Sequence, residues 1–408
     1  MNSASRWRPL LFAMLLIMLT VSRAWAQGDS GSVATPMTVT PAAIFSDHMV
    51  LQRQAKVPIW GAATAGQTVT VTFNGQTKTT VAGADGKWMV RLDDMPAKAE
   101  PGEMTVKDSK TAITFKDVVV GDVWLGSGQS NMEFAWTFSD QFKAQRAEKE
   151  GKPDLAKDPG YMGNNVDDKT MQVLRKAVGN PMIRISSKTR DHLTTPNTGW
   201  SHITEENLNT LPALAGCIAV YLHEEIQVPI GIIVRAVSST HTARWITKEG
   251  WYENPVVMKQ LDAAKVQGKS AGLNGTSARD GFGSLYKQYI DPVVPYALRG
   301  FLWDQGEQGI GFSAVDWTAA MHALVTSWRA AWGQGDLPWS ATDHYPDDLE
   351  AKLRAEGLKA FKIARTDGLS RALHPLNKWQ YAQKHVNNIL PMVYGKESPF
   401  KDAVGKSR

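Results

Sequence analysis

The hydrophobic pattern of this chain changes period near Asp117, and that change limits what the chain can fold into. From about Met37 to Lys116 the period is two: Thr68 to Phe73 alternates polar with apolar residues, Asn74 and Gly75 supply a tight turn, and Gln76 to Val81 runs back. Asp85 and Gly86 then turn the chain into Lys87 to Leu92, which alternates in the same way. Short strands joined by Asn-Gly and Asp-Gly turns specify antiparallel pairing, so residues 37–116 read as a small antiparallel β-sandwich domain. Beyond Asp117, apolar runs at Val118 to Leu125, Met182 to Ser186, Ile230 to Val237, Leu298 to Trp303 and Phe361 to Arg365 alternate with helical patterns over 203–226, 285–297 and 315–332. Such alternation predicts an α/β domain over 117–398, with a mostly parallel sheet and helices on both faces, followed by a C-terminal tail at 399–408. Two stretches lack a period: 137–180, polar and rich in Lys, Asp and Gly, reads as a lid or surface excursion, and 246–282, with Gly268, Gly272 and Gly275, as a loop.

The first residues pair Arg6 and Arg8 with an apolar stretch from Leu10 to Val21 and then Ala24-Trp25-Ala26. That order of charge, apolar core and small residues predicts a secretory signal peptide over 1–26, with an uncleaved N-terminal anchor as the competing reading. The mature protein is then expected outside the cytoplasm, secreted or periplasmic, with no membrane association after cleavage. The single cysteine, Cys217, cannot form an intramolecular disulfide and reads as a small core residue. A net charge of +5 is spread without a basic block, which argues against nucleic acid as a partner. The nine histidines show no close metal-binding spacing with one another or with Cys217, so no metal or cofactor is called for. The 15 tryptophans leave two readings open, burial in the core and a surface that meets sugar rings.

The strand ending at Leu125 runs into Gly126-Ser127-Gly128-Gln129-Ser130-Asn131. Glycines there permit a sharp turn, and a serine on such a turn stands at the carboxyl end of a strand, where open α/β sheets bind ligands. An ordinary polar loop fits the same letters. A serine nucleophile needs a base and donors aimed at the developing oxyanion. Trp303-Asp304-Gln305-Gly306-Glu307 offers a side-chain amide at a strand end, and His374 precedes Pro375 on a loop ahead of the amphipathic stretch Trp379 to Leu390.

These pieces resemble the sialate O-acetylesterase family of SGNH-type carbohydrate esterases. The matching segments are IFSDHMVLQR at 44–53, GDVWLGSGQSNMEF at 121–134, VPIGIIV at 228–234, YKQYIDPVVPYALRGFLWDQGEQ at 286–308, SWRAAWGQGDLPW at 327–339 and LHPLNK at 373–378. The resemblance implies an SGNH/flavodoxin-like three-layer sandwich for the α/β part and an O-acetylated carbohydrate as substrate. It implies Ser130 as nucleophile, His374 as general base and then acid, and Gln305 with the Ser130 amide as oxyanion donors. Asn131 and Glu307 are grouped with that substrate-binding set.

The chain departs from the family pattern at three places. Arg371 stands where the pattern carries an aspartate three residues before the histidine, which leaves Asp367 or Glu307 to orient His374, or a Ser130–His374 dyad. Val237-Ser238-Ser239-Thr240 replaces a Trp-Gly-Gly-Thr turn, so the oxyanion amide would come from Ser238. Asp304 replaces an aromatic residue or histidine, as an acceptor for a sugar hydroxyl or as a surface ion-pair partner. Arg235 and Arg244 are candidates for a clamp on a substrate carboxylate. A catalytically weak or inactive relative that binds glycan is the alternative reading.

Overall fold

The computed structural model describes residues 38–137, 140–158, 166–188, 197–342, 344–365 and 374–400. The expected signal peptide and both Asp367 and Arg371 lie outside the described residues. Along the chain the first strands are β1 (Thr40–Pro41), β2 (Val50–Gln52), β3 (Val57–Ala62), β4 (Thr68–Phe73), β5 (Gln76–Val81), β6 (Lys87–Leu92) and β7 (Lys98–Lys107). They are followed by β8 (Ala112–Gly128), β9 (Ile183–Ser187), β10 (Asn197–His202), β11 (Ile230–Ala236), β12 (Gly300–Asp304), β13 (Trp339–Thr342) and β14 (Phe361–Ala364).

The period-two segment folds as its alternation dictates. Strands β4 and β5 form a hairpin in register from Thr68 opposite Val81 to Phe73 opposite Gln76, turned by Asn74 and Gly75, both with positive φ. Val69, Val71 and Phe73 point into the core and the threonines between them point outward. Strand β8 then serves both halves of the molecule. Its first half pairs antiparallel with β7, and its second half, from Asp122 to Gly128, lies parallel to β11 on one edge and to β12 on the other.

The strand order β10-β9-β11-β8-β12-β13-β14 places β8 at the centre, with every pairing parallel except β9 with β10. A central strand covered on both faces must be largely apolar, which is why Val118 to Leu125 is an apolar run broken only at Gly121 and Asp122. Alternation divides that run between two cores. Val123 and Leu125 join Ile233, Phe301, Trp303 and helical Trp328 on one face, whereas Trp124 joins Ile232, Val234, Leu302, Cys217 and Val386 on the other. At the base of the sheet the buried Asp122 accepts from Arg53 through both oxygens at 2.9 Å and pairs with Arg299 at 2.7 Å. Burial works to raise the Asp122 carboxyl, but the hydrogen bond from Arg53 and the charge of Arg299 outweigh it and hold it below the ordinary range.

Helices appear where the sequence reading placed loops. The 137–180 stretch carries α2 (Asp140–Lys149) and α3 (Asp168–Arg175), after the short α1 (Ser130–Glu133) that follows β8. Asp167 caps α3 by accepting from Thr170, and Met171, Val173 and Leu174 bury its inner face. The 203–226 pattern becomes helical only as α4 (Ala213–Ile226), after Pro212. The 246–282 stretch holds α5 (Lys248–Tyr252), α6 (Pro255–Val266) and α7 (Gly275–Asp280). Asn254 caps α6 and Pro255 occupies its first turn, a start signal that the surrounding glycines obscured. In contrast, 285–297 forms a π turn and a 3-10 turn instead of a regular helix, because Pro292 and Pro295 remove amide donors. The 315–332 pattern is α8 (Trp317–Trp332), closed by Gly333 at φ 63°. The region from Trp339 onward carries β13, α9 (Leu349–Ala355) and β14 before α10 (Lys378–Tyr394).

The tryptophan question resolves toward packing: Trp124, Trp245, Trp251, Trp303, Trp328 and Trp339 are fully buried. Among the described residues no helix is long and apolar enough to cross a membrane.

Candidate active site

Strand β8 ends between two parallel neighbours that lead to opposite sides of the sheet, which is the crevice where α/β sheets bind ligands. Gly128 makes the turn possible at this point. Its φ is +117°, and an added Cβ would sit 1.9 Å from the Asp304 carbonyl oxygen. The turn is tied to both neighbouring strands, since the Gln129 N–H donates to the Asp304 carbonyl at 2.6 Å and Val237 donates to the Gly128 carbonyl at 3.0 Å. Ser130 therefore leaves the sheet in a fixed direction as the first residue of α1.

Its hydroxyl lies 2.9 Å from His374 Nε2, although 244 residues separate the two in the chain. The half-buried imidazole packs on Phe134, with ring centroids 4.8 Å apart. Burial and the charge of Lys378 both favour the neutral ring, holding the His374 pKa below its ordinary value. A neutral imidazole can accept the serine proton, which is the state a general base requires.

Behind this pair lies a buried polar network. Lys378 is fully buried and donates to Asn131 Oδ1 at 2.5 Å. Burial lowers its ammonium pKa to about 8, against the pull of the Asp304 and Glu307 carboxylates. Asn131 in turn donates to Glu307 at 3.4 Å, Gln129 donates to the other Glu307 oxygen, and His344 Nε2 lies 3.3 Å from Glu307. Asp304 is fully buried and accepts from the Tyr381 hydroxyl. Burial raises both carboxyls above their ordinary values, and the negative charge of Asp304 raises Glu307 further. One ligand atom each from Asp304, Glu307 and His344 falls within 4.8 Å of the others. Tyr381, Gln129 and Asn131 already direct hydrogens at the two carboxylates, so the cluster is organised around donors.

The remaining expected site residues are engaged with partners other than Ser130 and His374. Gln305 is fully buried, and its amide nitrogen donates to the carbonyls of Thr240 at 2.9 Å and Gly309 at 3.1 Å. Its oxygen accepts from Thr242 at 2.6 Å, so the side chain ties two loops together and both its amide hydrogens are engaged. The Ser238 N–H and hydroxyl both donate to the Glu133 carboxylate, the amide at 2.5 Å. Glu133, unnoticed in the sequence, thus holds the hydrogen that an oxyanion would need. Glu307 faces Gln129, Asn131 and His344 and does not hydrogen-bond His374. Asn131 is held at both ends of its amide and is 1% exposed. Asp304 is neither at the surface nor open to a sugar hydroxyl. Arg235 is a core residue whose guanidinium donates to the Ser186 and Val234 carbonyls, with burial lowering its pKa to about 9. Arg244 pairs with Asp280 at 3.0 Å. Neither arginine is a free clamp.

Gln129, His344, Tyr381 and Lys378 were also missed from the sequence, and for Lys378 a signal was present. The buried positions of α10 are Lys378, Tyr381, Ala382, His385, Val386, Ile389 and Leu390, a stripe at helical spacing that begins on the lysine.

No family model matches the chain. Over 310 residues it is 29% identical to a curated sialate O-acetylesterase from Homo sapiens, an alignment covering 72% of this chain and 53% of the relative. Over 365 residues it is 25% identical to the sialate O-acetylesterase of Rattus norvegicus, covering 80% and 61% of the two chains. The chain thus spans about half to three-fifths of the length of the curated relatives it matches. In fold it is similar to the crystal structure of a carbohydrate acetylesterase from Xanthomonas citri, with a TM-score of 0.63 at 24% identity over 88% of this chain and 76% of that one. The resemblance read from the motifs is borne out.

Proposed function

We propose that this chain is an exported serine esterase that removes O-acetyl groups from a carbohydrate. The observation that carries the reading is the 2.9 Å contact between Ser130 Oγ and His374 Nε2 at the carboxyl end of the central strand. The fold is read as an SGNH-type three-layer sandwich over 117–398 with a β-sandwich domain at 37–116 before it, and 1–26 as the segment removed on export.

In the reaction, Ser130 Oγ attacks the acetyl carbonyl while His374 Nε2 takes the hydroxyl proton. The tetrahedral intermediate collapses as His374 returns that proton to the sugar oxygen, leaving acetyl-Ser130. Water activated by His374 then hydrolyses the acetyl-enzyme and regenerates the hydroxyl. The Ser130 N–H is the oxyanion donor this reading retains, because the hydrogens of Gln305 and Ser238 are directed elsewhere. The Lys378–Asn131–Glu307–Gln129 network supports the turn from behind and positions the nucleophile.

A second reading, a glycan-binding relative with weak or no turnover, is favoured by those same two engaged donors. The experiment that separates them measures acetate release from p-nitrophenyl acetate and from acetylated xylo-oligosaccharides and sialosides, comparing the protein with Ser130→Ala and His374→Ala. The esterase reading expects each variant to lose on the order of 10³-fold or more in kcat. Equal rates in the parent and Ser130→Ala would sink it, and sugar binding without acetate release would establish the second reading.

A further inference from the structure

We propose that His48, Asp117 and His202 form a binding site for a divalent ion of the zinc class, distinct from the Ser130 site. Three distant parts of the chain meet there: the turn before β2, the body of β8, and the last residue of β10. His48 Nδ1 lies 2.7 Å and His202 Nε2 2.6 Å from the same oxygen, Asp117 Oδ2. The two imidazoles meet edge to face, with centroids 4.8 Å apart. Separations of 69 and 85 residues from Asp117 explain why histidine spacing in the sequence gave no sign of the site.

The carboxylate is built to present that oxygen. Arg184, itself fully buried, donates to Asp117 Oδ1 at 2.8 Å, to the Asp117 carbonyl, and to the Pro181 carbonyl at 3.1 Å. This leaves Oδ2 facing the imidazoles, the arrangement by which groups behind a metal ligand fix its orientation. The imidazole side chains are 42% and 27% exposed, so an ion can enter and solvent can supply a fourth ligand.

Two imidazoles and one carboxylate select zinc, cobalt, nickel or copper over magnesium or calcium. Bond lengths of about 2.0–2.2 Å in a tetrahedral site place ligand atoms about 3.3 Å apart. The two nitrogens must therefore draw back from Oδ2 by about 0.6 Å, which half-exposed rings allow. Each ring would turn a lone pair toward the ion and carry its proton on the other nitrogen, His48 on Nε2 and His202 on Nδ1. A ring that enters neutral moves its proton to the other nitrogen through solvent, and a ring that enters protonated releases one proton to solvent. The positive charge of Arg184 opposes the ion, so a bound anion or hydroxide as fourth ligand strengthens the site.

The test uses the full mature chain, stripped with chelator and titrated with Zn²⁺ by calorimetry and with Co²⁺ by its visible d–d absorption. The expected result is one Zn²⁺ per chain, no uptake of Mg²⁺, and at least about 100-fold weaker binding in both His48→Ala and His202→Ala. Circular dichroism establishes that each variant is folded, and Asp117 is left unchanged because Arg184 depends on it. A variant at the Asp304 cluster, His344→Asn, should bind as the parent does. The proposal is overturned by failure of the parent to take up Zn²⁺, by uptake that survives both His48→Ala and His202→Ala, or by uptake lost only in His344→Asn.

Discussion

Replacing Lys378 by methionine should reverse part of the pH dependence of stability. In the folded chain the buried ammonium titrates at about 8 against an ordinary value of 10.5. At pH 7 both states carry the proton, and the lowered pKa costs the folded state roughly 3 kcal/mol. As pH rises past 8 the folded lysine releases its proton while the unfolded one keeps it, so the unfolded state binds more protons and stability increases. Between pH 7 and 9.5 that cost falls by on the order of 2 kcal/mol, which is the lysine's contribution to the rise. Lys378→Met abolishes this rise. Its loss also drives Asp304 and Glu307 further up, and any titration they bring into the window lowers the stability of the variant as pH rises. Both effects have the same sign, so the parent gains stability relative to the variant as pH rises. The assay is urea unfolding followed by tryptophan fluorescence at the two pH values, with other groups cancelling in the comparison of parent and variant. Equal pH dependence in the two proteins, or a steeper rise in the variant, would refute the placement of a charged lysine in that core.

Three shorter expectations concern the site itself. The acid limb of kcat/KM should titrate below 6.5, the ordinary histidine value, because burial and Lys378 disfavour protonated His374, and Lys378→Met should move it upward; a pH–rate profile of each protein checks this. Gly128→Ala introduces a Cβ 1.9 Å from the Asp304 carbonyl at a φ of +117°, and should cost several kcal/mol in urea unfolding together with most of the esterase activity. Gln305→Ala should destabilise by about 1–3 kcal/mol while lowering kcat less than tenfold, since an oxyanion donor would cost about 10²–10³-fold; a thermal melt beside acetate-release kinetics distinguishes the two.

The parts of this fold legible in the sequence are those whose signal is local. From Val118 onward strand β8, like its parallel neighbour β11, is buried on both faces, and a largely apolar run can do little else. Ser130 and His374 each sit in a short distinctive segment, so their residue types and chain order were readable before their 2.9 Å contact was known. Strand β13 was not, because Trp339–Thr342 is four residues long and two of them, Ser340 and Thr342, are polar yet buried. Ser340 is accommodated by a hydrogen bond to His385 on α10 at 2.9 Å, a partner 45 residues away. The duties of Gln305, Ser238 and Asp304 were illegible for the same reason. Which acceptors a buried amide meets depends on where the Thr240 and Gly309 loops cross, and Thr240 lies 65 residues from Gln305 along the chain.

Glu133 shows how such non-local partners bear on the nucleophile. It is the last residue of α1, the turn that begins at Ser130, and its fully buried carboxylate accepts both the N–H and the hydroxyl of Ser238. The loop after β11 is thereby pinned to the element carrying Ser130, and a four-residue helix has little stability of its own to hold that geometry. Glu133→Ala removes the carboxylate that accepts both the N–H and the hydroxyl of Ser238, a loss of about 1–3 kcal/mol. The freed turn can shift by an ångström, which is enough to lower kcat by about 10²-fold. Were Ser238 instead an oxyanion donor masked by Glu133, the same variant would release its N–H and raise kcat. Measuring kcat and unfolding free energy for Glu133→Ala therefore decides between them: a fall in both supports a clamp on the nucleophile turn, and a gain in kcat overturns it.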